Sequence, residues 1–143
     1  MTKESQARIL ESYELIAPRV DDIIADFYQR LFAHSPSLRA MFRNDMTVQR
    51  QHFAATLALL VRNLPLQDIF TEPLMDLGVY HLRIGAKPEQ YPVVRDCLLA
   101  SIGQCLGDKW NKQVEADWID LMDHVIAAML RGAMLHALQA ISR

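Results

Sequence analysis

Apolar positions recur at helical intervals along almost the whole chain. Ile9, Tyr13, Ile16 and Val20 keep one face, and Ile23, Ile24, Phe27, Tyr28, Leu31 and Phe32 do the same after Pro18. Ser35-Pro36 predicts a short helix to about Phe42, with serine as cap and proline in the first turn. Arg43-Asn44-Asp45 reads as a loop, and Thr47 as the cap of a helix to about Asn63. That helix carries Gln49, Phe53, Thr56, Leu57 and Leu60 on one face, and Leu64-Pro65 closes it. A less regular stretch leads to a helix ending near His81, followed by a turn at Gly85 and Lys87-Pro88. Val94, Cys97, Leu98, Ser101 and Cys105 line a helix from about Pro88 to Gly107. The last helix, from about Lys112 to the end, turns Val114, Trp118, Leu121, Met122, Val125 and Met129 inward. No run alternates apolar and polar residues for long, and no repeat or linker interrupts the pattern. The expectation is an all-α single domain over residues 1–143.

Composition adds exclusions. The 143 residues suit one core, with 51% hydrophobic and 22% charged positions. A formal net charge of −2 argues against nucleic acid or an anionic membrane as the main partner. The helix-by-helix reading finds no signal peptide and no apolar run long enough to span a bilayer, so a cytoplasmic protein is expected. Cys97 and Cys105 are the two cysteines. On a helix their spacing is about 12 Å of rise, too far for a mutual bridge, and they read as small buried hydrophobes. The chain contains no CxxCH, so thioether attachment of a haem is not expected.

The candidate chemistry sits on the apolar faces. Leu74, Leu77 and His81 fall at i, i+3 and i+7, one helix face, which turns an imidazole inward. A buried imidazole needs a partner, and both a backbone carbonyl and a metal satisfy that need. His34, His52, His124 and His136 are the other histidines, and no two of the five lie within four residues. That removes a local two-histidine metal motif. His34 reads as a solvated helix end, and His124 and His136 as structural or surface groups. Gln49 is the polar member near the start of its apolar face, either reaching solvent or aiming an amide into a pocket. Tyr28 shares a face with Ile24 and Leu31, so its hydroxyl needs a partner inside. Phe42 reads as a core plug.

Together these positions resemble a globin, and more narrowly the bacterial single-domain haemoglobins and the globin part of flavohaemoglobins. Phe27-Tyr28-Gln29-Arg30-Leu31-Phe32 is similar to that group's second-helix signature. Pro36 and Phe42 match the globin proline and the aromatic that stacks on haem. Gln49 matches the distal position, Phe53 the apolar residue beside it, and His81, 32 residues after Gln49, the proximal histidine. The segment His81-Leu-Arg-Ile-Gly-Ala-Lys-Pro-Glu-Gln-Tyr-Pro-Val-Val resembles the group's stretch after that histidine, and Trp118 a recurrent last-helix tryptophan.

The resemblance implies a globin fold of about seven or eight helices around non-covalent haem b. His81 is then the iron ligand, with Phe42, Gln49, His52, Phe53, Leu77, Tyr91 and Val94 around the cofactor. Tyr28 and Gln49 become donors to an O₂ or NO ligand. Two departures stand out. The last-helix glutamate that works with a tyrosine like Tyr91 in flavohaemoglobins is replaced, counting from Trp118, by Leu135, and a tyrosine one turn after the tryptophan by Met122. Without that carboxylate the imidazole is a weaker electron donor, which disfavours peroxidase-like chemistry. Phe53 stands where relatives often carry leucine, and its larger ring narrows access.

The implied function is O₂ binding, with O₂ retained for nitric oxide dioxygenation. The chain carries no GxGxxG, so electrons are expected from a separate reductase. The alternative is a non-catalytic O₂ carrier or a gas or redox sensor, including a six-coordinate form in which His52 reaches iron. A place for His52 at the pocket edge is favoured over ligation. Oligomeric state is left open.

Overall fold

In the computed structural model of the chain, residues 1–42 and 45–141 are described. Arg43 and Asn44, expected in a loop, lie outside the described residues. Six α-helices account for most of the rest: α1 (Lys3–Ile16), α2 (Val20–His34), α3 (Met46–Arg62), α4 (Thr71–Arg83), α5 (Tyr91–Leu106) and α6 (Lys112–Ile141). Short 3₁₀ turns at Ala17–Arg19, Pro36–Met41, Leu64–Phe70, Pro88–Gln90 and Gly107–Lys109 join them. The expected seven or eight helices become six among the described residues, because the proline-led segments tighten into 3₁₀ turns. Pro36–Met41 is such a case: Ser35 precedes it but makes no side-chain cap bond. The irregular stretch after Leu64 kinks at Leu66, where φ is −106° and ψ is 35°.

The helix ends follow local chemistry. The Thr2 hydroxyl accepts from the Ser5 N–H at 3.0 Å and starts α1. The cap of α3 is Asp45, not Thr47: its carboxylate accepts from the Thr47 N–H at 2.8 Å. A carboxylate at that end also faces the positive end of the helix dipole. Gly107, at φ +57°, ends α5 in a conformation that glycine adopts without strain.

The core lies between α1, α2, α5 and α6. Trp118 is fully buried among Ile9, Tyr13, Ile16, Ile24, Ile102 and Leu121. Its indole N–H donates to the Ser12 hydroxyl at 2.9 Å, which donates in turn to the Ile9 carbonyl at 2.8 Å. Both Cys97 and Cys105 are free thiols and only half-buried, less enclosed than expected. Helix α2 packs on α3 and α5, and α4 packs chiefly along α6. Helices α3 and α4, by contrast, scarcely touch. The fold thus holds them apart while supporting each from behind.

The sequence expectation about bilayer-length runs needs correction. Helix α6 contains an 18-residue window of mean hydropathy 1.3, with 11% of that window buried, and is long and apolar enough to cross a membrane by length and composition. Reading faces one by one hid this, because Arg131 and the histidines punctuate the helix while a window averages over them.

Candidate functional site

Helix α2 delivers Tyr28 into the interior, 4% exposed. Helix α3 carries Gln49 one turn from its Asp45 cap, and its side-chain amide donates to the Tyr28 hydroxyl at 3.1 Å. Aromatic rings surround this pair. Phe42 meets Tyr28 edge-on at 5.5 Å between centroids, and Phe53 meets it edge-on at 5.9 Å. Phe53 also lies 5.0 Å from Phe27. Burial pushes the Tyr28 hydroxyl above its ordinary pKa, and the Gln49 hydrogen bond and the Arg50 charge only partly oppose this. Tyr28 is therefore a neutral hydroxyl at physiological pH, with its proton still available for donation.

Helix α4 carries the second half of the site. The His81 ring nitrogen Nδ1 lies 2.8 Å from the Leu77 carbonyl oxygen. A carbonyl oxygen can only accept, so this bond fixes the proton on Nδ1. In the neutral ring this tautomer places the lone pair on Nε2, the atom a metal would bind. Tyr91, buried at the start of α5, lies 6.1 Å from His81 between ring centroids. Tyr80 meets the imidazole edge-on at 5.8 Å. The acceptor behind His81 is thus a neutral carbonyl one helical turn back.

Phe42, Gln49, Phe53, Leu77, His81 and Val94 are all half-buried, whereas residues deeper in the core are closed off. They lie on α3, α4, α5 and the segment ahead of α3, and the backbones of α3 and α4 approach each other little. A flat, largely apolar group with a metal at its centre fits this donor set: half-buried apolar side chains from several elements, an imidazole on α4, and two polar hydrogen-bonding groups from α2 and α3. Tyr28, Gln49, Phe42 and Phe53 meet on the α2–α3 side, with Val94 packed against the same core, and Leu77, His81 and Tyr91 meet on the α4–α5 side. His52 is exposed on α3. Met122 is buried, while Leu135 is 39% exposed and lines an outer groove with Met75, Val79 and Tyr80.

Sequence reading left Phe32 out of the site. Its ring stands 5.8 Å from Tyr28 and 5.4 Å from Phe42, a third wall of the aromatic enclosure. The signal was present, since Phe32 lies one helical turn after Tyr28. Leu77 supplies the backbone carbonyl that is one of the two partners the sequence allows for His81, but periodicity does not say which carbonyl, because every helical residue has one.

The fold and the site together define a haem protein of the globin class. The Globin family model matches residues 25–129, and the chain belongs to that family. A flavohemoprotein of Rhizobium meliloti (strain 1021) is 28% identical over 121 residues, 82% of this chain but 30% of that protein's length. The chain therefore spans about a third of the flavohemoproteins it resembles. An anaerobic nitrite reductase of Arabidopsis thaliana is 22% identical over 143 residues, covering 90% of each. Among solved structures, an engineered carbene transferase from Rhodothermus marinus superimposes with a TM-score of 0.84 at 20% identity, covering 98% of this chain and 99% of that one. At that identity the likeness speaks for the fold.

Proposed function

We propose that this globin holds haem b without a covalent link and retains O₂ to convert nitric oxide to nitrate. The observation that supports the reading is the Gln49–Tyr28 hydrogen bond, together with a His81 whose Nδ1 is held by the Leu77 carbonyl so that Nε2 is the ring nitrogen left for a metal. Haem, when bound, would supply an iron able to take a diatomic gas ligand. His81 would hold that iron, and Phe42, Phe53, Leu77 and Val94 would exclude water around it.

Gln49 donates into the Tyr28 oxygen, so the Tyr28 proton is left to point at a partially negative ligand. That interaction favours O₂ over uncharged CO and slows its escape. Nitrate forms from NO, O₂ and one electron, and the electron must come from a reductase. Flavohemoproteins are the relatives that suggest this chemistry.

The neutral acceptor behind His81 leaves the imidazole a modest electron donor. Cleavage of peroxide is correspondingly disfavoured. A non-catalytic carrier or a gas or redox sensor shares the same donors but needs no electron supply. A six-coordinate version would draw on His52, whose exposed position favours the pocket edge instead.

Haem-loaded protein mixed with an NADH-dependent flavin reductase, in air-equilibrated buffer with an NO electrode, tests the reading. Sustained NO loss with stoichiometric nitrate is expected. NO loss no faster than with the reductase alone would leave the carrier or sensor reading in its place.

A further inference from the structure

Helices α4 and α6 approach backbone to backbone at two points, each marked by a glycine. A methyl group added at Gly78 would overlap the Met129 carbonyl, with Met129 Cα only 2.8 Å away. A methyl at Gly132 would overlap the Met75 carbonyl in the same way, 2.5 Å from Met75 Cα. Residue numbers rise on one helix as they fall on the other, so the pair is antiparallel. Both glycines are buried. Helix α6 is the chief support of α4, and α3 gives α4 almost none. The position of α4 is therefore set chiefly from one side.

We propose that Gly78 and Gly132 are positioning residues for His81: backbone contact at these two points fixes how far the imidazole reaches toward the iron it would hold. The proposal rests on the reading of His81 as the axial ligand. Gly78 and His81 are three residues apart, which places them about 60° apart around a helix that turns 100° per residue. Pushing α4 off α6 therefore draws His81 back by about half of the displacement. Packed interiors pass such shifts on rather than absorbing them. The imidazole would then pull on the iron, and the bond between them would weaken.

Gly78→Ala and Gly132→Ala test this, with Gly103→Ala as a matched control. A methyl at Gly103 would lie 2.8 Å from the Trp110 indole nitrogen, so it loads the fold away from α4. The readouts are the iron–imidazole stretching frequency of the ferrous protein by resonance Raman, the thermal midpoint and the O₂ dissociation rate. Gly78→Ala should lower the frequency and speed O₂ release several-fold. Gly132→Ala should do the same to a smaller extent, since Met75 is farther along the helix from His81. Gly103→Ala should keep the wild-type frequency even where its midpoint falls. A wild-type frequency in both α4–α6 variants overturns the proposal. So does failure of both to fold around haem, because the glycines would then serve the fold alone. A wild-type protein with no histidine–iron stretch refutes the axial role of His81, and the proposal with it, before any variant is compared.

Discussion

The Gln49 amide donates to the Tyr28 hydroxyl at 3.1 Å, joining residues 21 positions apart in the chain. The direction of that bond matters more than its length. An amide N–H that donates into the phenol oxygen leaves the phenol proton unused. Tyr28 thus becomes a donor oriented by Gln49, inside a ring of aromatic side chains that keeps water from competing.

Tyr28→Phe should release O₂ about 10- to 100-fold faster, since one hydrogen bond to a charged group contributes about 1.5–3 kcal/mol. Gln49→Leu should have a smaller effect in the same direction, because the hydroxyl remains but loses its orienting partner. The double variant should be less than additive, as expected for two residues in one network. Stopped-flow O₂ dissociation measures all three, and an unchanged rate in Tyr28→Phe refutes the donor role.

His81→Gly should lose the histidine–iron stretch in the ferrous state, and added imidazole should restore it. The side chain is half-buried beside Leu77, so the space vacated can admit a free imidazole. Retention of the band without imidazole would point to another ligand.

The pH dependence of O₂ release follows from Tyr28. Burial raises its pKa in the folded protein, so the neutral hydroxyl is the form that folding favours. Its stabilising contribution is complete below the ordinary tyrosine pKa of about 10 and is lost as pH rises through the higher folded value. Slow O₂ release should therefore persist across the neutral range and give way only in strong alkali. A loss of retention below about pH 9 would contradict this assignment.

Ser12→Ala should destabilise the fold by about 1–3 kcal/mol, because it strands the Trp118 indole N–H in the core. Trp118 has no exposed surface, so water cannot replace the hydroxyl. Urea unfolding of the haem-loaded protein gives the number. The O₂ dissociation rate should stay close to wild type, since the pair lies between α1 and α6.

The helical class and the inward face of His81 are legible in the sequence because periodicity records burial directly. The spacing of Tyr28, Phe42, Gln49 and His81 narrows the class to a globin because it matches a known pattern. The Asp45 cap is harder to read, since Asp45 and Thr47 are both good caps and only the backbone path decides between them. The acceptor for His81 is a main-chain carbonyl, which no side-chain pattern reports. The close approach of α4 and α6 depends on glycines that look like ordinary helix interruptions until their neighbours are known.

Helices α3 and α4 rely on other elements for support and barely on each other. A cofactor that joins them would stabilise the folded chain by mass action, in proportion to its concentration over its dissociation constant. Without it, these two helices should exchange their amide hydrogens first and offer proteases their earliest cuts. The amount of this protein in a cell would then follow the supply of haem, even with synthesis held constant.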